Sequence, residues 1–253
     1  MTLVAIGAPA YGLCVTPLIA NAPPSAPAPA LGTGIYSVPE ASRVTGIHRS
    51  RIRRWMRGYS YRRSDGHGRS AAIWHGQLEP RGSAFALGFR DLMEVRFVDA
   101  FLKAGVSWKT MRLAHGHARH ELGTEHPFCS NRFVTDGRSI LLHEAEKSGD
   151  AALLDIVSRQ REFARIVEPF FKQLEFSPDQ QLLRWWPLGR QRAVVLDPSR
   201  NFGQPSVAKS GVPTHVLAES LKANGSADEV ARWYEVQPEE VRDAAAFEAG
   251  LAA

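Results

Sequence analysis

"TGIHRSRIRRWMRGYSYRR", residues 45–63, carries seven arginines and no acidic side chain. The nearest acids are Glu40 before it and Asp65 after it. Surface helices usually interleave both signs, so two readings compete here: a solvated charge run, or a face shaped for a polyanion. Guanidinium groups at this density repel one another unless an anion neutralises them. The missing counter-charge favours a nucleic-acid partner.

The residues just before this stretch give it a structural setting. "SVPEASRVTG", residues 37–46, opens with Ser37, places Pro39 in the first turn and Glu40 three residues after the serine. That is the start of a capped helix. Gly46 ends it in a tight turn, and a second helix is expected from Ile47 to Arg57. Ile52 and Trp55 would then face inward, and Arg49, Arg53, Arg54 and Arg57 outward. Two short helices around a glycine turn, the second rich in arginine, fit a helix-turn-helix that enters a major groove. Beyond it, Asp65-Gly66 and Gly68 separate two β-prone runs, which predicts a hairpin wing carrying Arg62, Arg63 and Arg69.

Charge is unevenly spread along the 253 residues. The first 80 residues hold nine arginines and three acids, whereas the rest hold 22 basic and 23 acidic side chains. The basicity therefore belongs to one N-terminal module. Residues 1–34 are Ala/Pro-rich, and no Lys or Arg precedes their apolar start, so they read as a disordered leader rather than a signal peptide. Cys14 and Cys129 are the only cysteines, too few for a disulfide framework or a cysteine zinc site. A reducing cytoplasm fits, and no later segment is apolar for long enough to span a bilayer.

From Phe89, the residues Phe89, Met93, Phe97, Ala100, Phe101 and Ala104 form an amphipathic stripe, ended by Gly105, with Ser107 able to cap the next helix. His117 and His120, with His115, Glu121, His126 and Cys129 nearby, lack the regular spacing of a zinc site. They read as surface or helix-end histidines. A long helix is expected over Ala151–Leu174, bent or split by Pro169. Its two apolar faces suit either a central core helix or a homodimer contact.

The last third changes character. Strand-like runs Arg192–Leu196 and Ser206–Lys209 precede three helical stretches, one of them opening with the capping pair Ser226 and Glu229. From Pro213 onward Lys222, Arg232 and Arg242 face eight acids, a net charge of −5. DNA would repel this module, which points to protein contacts instead.

Two resemblances follow. "YSVPEASRVTGIHRSRIRRWMRG" with "LGFRDLMEVRFVDAFLKAGVSWKTMR" resembles the MerR-type winged helix over about residues 35–113. That likeness implies base contacts at Arg49, Ser50 and Arg51, and phosphate contacts at Arg53, Arg54, Arg57, Arg62 and Arg63. MerR-type metal-binding cysteines are missing. "VVLDPSRNFGQPSVAKSGVPTHVLAESLKANGSADEVARWYEV" is similar to the DUF433 domain of VapB-type antitoxins, whose partner is a PIN-like ribonuclease toxin. It implies an antitoxin that neutralises its toxin and represses its own operon, with Phe202, Gly203, Gln204, Pro205, Trp233 and Tyr234 as candidate toxin contacts. Turn chemistry alone also accounts for Phe202, Gly203 and Pro205.

The expected fold is mainly α with small β-hairpins (α+β): a leader at 1–34, a MerR-like winged helix at 35–125, a helical connection at 126–188 and a toxin-interaction domain at 189–253. No G-x-S-x-G, P-loop or H-E-x-x-H motif points to catalysis. No catalytic residue, cofactor or metal is expected. The competing expectation is a stand-alone MerR-like regulator whose C-terminal domain senses a ligand or protein.

Overall fold

The computed structural model describes residues 32–63, 66–80 and 85–252. The expected leader lies almost wholly outside these residues, yet Thr33 and Gly34 are already built in: the Phe89 N–H donates to the Thr33 carbonyl at 2.8 Å, and Gly34 is buried. The fold is mainly α with four two-stranded antiparallel sheets among the described residues.

Strand β1 (Tyr36–Ser37) leads into α1 (Val38–Thr45). The predicted cap is present in both directions. Ser37 Oγ accepts from the Glu40 N–H at 3.3 Å, and Glu40 Oε2 accepts from the Ser37 N–H at 2.7 Å. Gly46 closes the helix at φ 70°. Helix α2 is Arg49–Arg57, two residues shorter than expected, because His48 caps it by accepting the Ser50 N–H on Nδ1. Ile52, Trp55 and Met56 turn inward on one stripe. Gly58 follows at φ 71°, where a Cβ would sit 2.1 Å from the Ser70 carbonyl oxygen, so only glycine lets the chain reverse here.

The wing pairs β2 (Tyr59–Arg63) with β3 (Gly66–Ser70). Gly68 is opposite Tyr61 inside β3 rather than in the turn, and Ser64 and Asp65 lie outside the described residues. Strand β4 (Ala86–Leu87) returns to pair with β1.

Helix α3 (Phe89–Lys103) is not the one-sided stripe expected. Leu92, Val95 and Val98 are buried along with Phe89, Met93, Phe97 and Phe101, while Ala104 is exposed. Phe97 stacks on Phe101 and Phe128 at 4.9 and 4.5 Å and meets Phe133 and Phe170 edge-on. Each such pair contributes about 0.5–1.5 kcal/mol beyond area burial. The helix also buries Asp91, Glu94 and Asp99. Asp91 accepts from Trp74 Nε1, the Gln77 and Gly88 N–H groups, and His126 Nε2, at 2.8–2.9 Å.

Helices α4 (Trp108–Leu122) and α5 (Asn131–Ser148) pack against α3 and each other, capped by Ser107 and Ser130. The long helix expected over 151–174 is two helices, α6 (Ala151–Ser158) and α7 (Gln160–Lys172). The break falls at Arg159, in extended conformation, not at Pro169, which sits inside α7. Arg138 on α5 explains the position: its guanidinium donates to the Val157 and Ser158 carbonyls at 2.9 and 3.3 Å, satisfying acceptors that the break frees. Leu174 belongs to a hairpin of β5 (Leu174–Phe176) and β6 (Leu182–Trp185) that the sequence did not announce. Arg96 lies between the Trp185 and Phe170 rings, 3.9 and 5.1 Å from their centres.

One apolar core runs from Tyr36 to Leu196, across the boundary expected near residue 125. Strands β7 (Val194–Val195) and β8 (Ser206–Val207) then lead to α8 (Thr214–Asn224), α9 (Ala227–Tyr234) and α10 (Pro238–Ala252) around a smaller core of Val207, Leu217, Val230 and Val241. The two cores meet at a joint. Tyr36 Oη donates to the Gly203 carbonyl at 2.6 Å, the Ile35 N–H to the Phe202 carbonyl at 2.9 Å, and Arg43 pairs with Glu248 at 2.8 Å. Asp197 ties the preceding hairpin to this joint by accepting from Arg184 Nε and the Ser199 N–H. Burial pushes its carboxyl pKa up, but the hydrogen bonds from Ser199 and Arg184 outweigh that and hold it below the ordinary value.

Two outcomes follow. Gly203→Ala would place a Cβ 2.3 Å from Tyr36 Oη at φ 83°. It should lower unfolding stability in urea by about 2–4 kcal/mol, combining left-handed strain and overpacking; Tyr36→Phe, which only orphans the carbonyl, should cost about 1–2 kcal/mol. Asp197 has a depressed carboxyl pKa, so its contribution is present above about pH 4 and is lost as pH falls further. Asp197→Asn should therefore unfold at lower temperature at neutral pH and show a flatter fall in Tm below about pH 4 than the parent.

Candidate nucleic-acid interface

The arginines of α2 and the wing divide by what they touch. Arg49, Arg53, Arg57, Arg62 and Arg69 are exposed and meet no carboxylate among the described residues. Arg54 stacks on the Tyr59 ring at 4.1 Å, which holds its guanidinium at the base of the wing. Arg51 is engaged elsewhere. Its guanidinium pairs with Asp99 on α3 at 3.0 Å, Asp99 also holds Lys103 at 2.8 Å, and the Trp55 ring lies 5.9 Å away. Ser50 Oγ is 2.8 Å from His48 Nδ1 and belongs to the helix cap. Of the trio expected at base edges, only Arg49 projects unengaged. The Arg63 side chain lies outside the described residues.

Tertiary structure adds residues that the sequence reading left out. Trp108, Lys109 and Arg112 at the start of α4 come beside the wing, and with Tyr59, Tyr61 and Arg69 they line a cleft of about 410 Å³. Arg112 donates to Ser70 Oγ at 3.4 Å, and Trp108 stacks on Trp55 at 5.7 Å, which locks α4 to α2 and the wing. Lys109 and Arg112 stand three apart in "SWKTMR", so helical spacing carried the signal. The cleft offers N–H donors and aromatic rings and is lined by no carboxylate among the described residues, a chemistry suited to phosphates and bases.

The histidines do not lie on the surface as a group. His115 is wholly buried, its Nε2 3.4 Å from Glu94 Oε2, stacked on Trp74 and edge-on to Phe128. His126 is buried on Asp91. Burial first, and the Glu94 charge next, push the Cys129 thiol well up, which keeps it protonated and unreactive. No group of three or more His, Cys, Asp or Glu among the described residues is arranged to hold a metal ion.

The candidate partner contacts at the C-terminal end also divide. Gly203 and Pro205 are buried in the joint, and Gln204 Nε2 donates to Glu40 Oε1 at 3.3 Å. Tyr234 packs on the second core, with its hydroxyl 3.0 Å from Ser220 Oγ. Phe202 and Trp233 stand out, 67% and 58% exposed, and Phe202 is held at φ 54°.

A cationic helix-turn-helix face and an acidic helical module stand on one chain. The family described as Protein of unknown function (DUF433) matches residues 194–247. The protein named "Putative antitoxin VapB45" of Mycobacterium tuberculosis (strain ATCC 25618 / H37Rv) is 31% identical over 221 residues, covering 83% of this chain and 92% of that protein. The crystal structure of Rv2018 from Mycobacterium tuberculosis is similar with a TM-score of 0.64 at 30% identity, over 83% of this chain and 96% of that one. The chain belongs to the VapB-type antitoxin family and carries a DUF433 domain at its C-terminal end.

The split among the arginines is testable. Arg53→Ala and Arg57→Ala should each reduce the log–log salt slope of DNA binding by about one unit, with stability changed by no more than about 0.5 kcal/mol. Arg51→Ala should do the reverse, lowering Tm while leaving the slope nearly intact. Arg49→Ala should relax preference at one base pair, at about 1–3 kcal/mol on the right sequence. Fluorescence anisotropy across a salt series separates the three patterns.

Proposed function

We propose that this chain is the antitoxin of a type II toxin–antitoxin pair, acting in the cytoplasm as a homodimer. It neutralises a PIN-like ribonuclease toxin by direct binding and represses its own operon through operator DNA. Residues 35–125 carry DNA binding, 126–188 connect, and 189–253 hold the toxin. The observation that carries this reading is the separation of charge on a member of an antitoxin family. Five exposed arginines on α2 and the wing lack carboxylate partners among the described residues, whereas the last 41 residues are net acidic.

The chemistry is binding, not catalysis. Helix α2 offers Arg49 to a base edge, and Arg53, Arg57, Arg62 and Arg69 neutralise phosphates on either side. A ribonuclease grips RNA through a cationic approach to its active site, which an acidic surface can occupy. Phe202 and Trp233 supply the aromatic anchors that such a surface needs at its centre. Among the described residues no helix is long and apolar enough to cross a membrane, so neither contact is placed in a bilayer.

A second reading, a stand-alone regulator, draws on one feature: a groove of about 620 Å³ between α5 and α7, in which Phe163, Val167, Phe171 and Phe176 stand among Arg138, Glu168 and other polar side chains. The same experiment separates the two. The full chain should co-purify with the ribonuclease encoded beside it. Phe202→Asn with Trp233→Ala should lose that partner at least tenfold while retaining DNA affinity, asparagine being chosen because it tolerates the positive φ. Unchanged capture by the double variant moves the toxin contact elsewhere. Capture of no ribonuclease by the parent leaves the regulator as the better reading.

A further inference from the structure

A second, larger trough lies beside the wing cleft. It has a volume of about 940 Å³ and separates α4 from the C-terminal half of α5. Lys109, Arg112 and Leu113 line both clefts, so the two adjoin along α4. Beyond Lys109 and Arg112 the trough is lined by His117, His120, His143 and Lys147. His117 and His143 stand with ring centres 4.9 Å apart.

Three carboxylates stand at these walls, two of them against the histidines themselves. Glu121 lies 3.8 Å from His117 Nε2 and 3.4 Å from His120 Nδ1. Glu144, with its side chain 5% exposed, faces His117 Nδ1 at 3.9 Å. Asp150, on the far wall, accepts from Thr110 Oγ1, the Leu153 N–H and the Ser107 N–H, and so serves two helix starts. Three permanent cations therefore stand with three protonatable rings over buried or engaged acids. Lys109, Arg112 and Lys147 balance Glu121, Glu144 and Asp150, so charge on the rings is what turns the trough net positive.

We infer that this trough is an extension of the nucleic-acid interface, in which His117, His120 and His143 join Lys147 in neutralising duplex phosphates beyond the winged helix-turn-helix. The inference rests on the DNA-binding reading above and adds a footprint and a pH response to it. Its physical basis is continuity. A backbone that follows Arg69 meets Lys109 and Arg112 next, and these two side chains belong to both clefts. Occupied by phosphates, His117 and His143 also gain a partner that offsets their mutual repulsion when both are charged.

The test uses the full chain and two duplexes, one covering only the winged-helix contacts and one extended on the α4 side. For the parent, the extended duplex should show a log–log salt slope steeper by about two units near pH 6 than near pH 8, each protonated ring adding a phosphate contact. His48 and His67 sit on α2 and the wing and contribute a response of their own, so the combined variant His117→Gln/His120→Gln/His143→Gln carries the comparison. It should lose about two units of slope near pH 6 on the extended duplex alone. Lys147→Gln, an exposed single change, should weaken the extended duplex several-fold at both pH values and leave the short one unchanged. An unaltered pH response in the triple variant, or equal losses on both duplexes, overturns the extension while leaving the DNA-binding reading in place. A parent that binds neither duplex overturns both. A triple variant with intact DNA binding that no longer holds the ribonuclease makes the trough a protein-binding surface and overturns the inference.

Discussion

Everything in the N-terminal two thirds is registered on the Asp91 carboxylate. Four donors from separate stretches converge on it: the indole of Trp74, the backbone at Gln77 and Gly88, and the imidazole of His126. A carboxylate inside an aromatic core is costly unless its lone pairs are filled, and these four fill them. The satisfied node fixes where the loop after the wing returns, where α3 starts and where the α4–α5 connection crosses. Glu94, one turn later, holds the Cys129 N–H at 3.1 Å and continues the same arrangement. Helix α2 reaches the helix that carries this network through the Arg51–Asp99 pair, and the wing reaches α4 through Ser70 and Arg112.

Local chemistry was legible in the sequence wherever it was decided by neighbours in the chain. The Ser37–Glu40 cap, the Gly46 stop and the Ser107 cap depend on residues within one turn, and they stand where their spacing puts them. The hairpins at Tyr59–Ser70 and Val194–Val207 follow from β-prone runs around turn formers. The fate of single side chains was less legible. Arg51 looks like its arginine neighbours until α3 brings Asp99 to it from 48 residues away. The break at Arg159 is invisible without Arg138, since a lone extended residue in an apolar helix pattern has no local signature. His115 reads as polar, yet Trp74 and Phe128 enclose it. The likeness to DUF433 marked Gly203 and Pro205 through their spacing, and only the packed structure shows that they serve an internal joint.

Charge differs between two faces of one chain. A run of exposed arginines lies on α2 and the wing, whereas the last 41 residues carry eight acids against three Lys or Arg. Between them stands a joint made largely of neutral groups: a tyrosine hydroxyl, backbone carbonyls and one ion pair between Arg43 and Glu248. That ion pair is partly buried on the glutamate side, so it sets orientation more than it adds stability. The two charge fields meet at this pair, beside a cleft that Arg43 and Arg49 line together with Leu251 of α10.

The Tyr36 to Gly203 contact bears on how such a chain can be assembled from parts. Tyr36 belongs to the first strand of one module and Gly203 to the first turn of the other, and neither has an alternative partner for the atoms involved. A C-terminal module moved onto a different winged helix would arrive with an unfilled carbonyl and a gap shaped for one phenol. A module exchange that keeps this contact has to carry both positions together. The contact thus couples two positions that stand 167 apart in the chain.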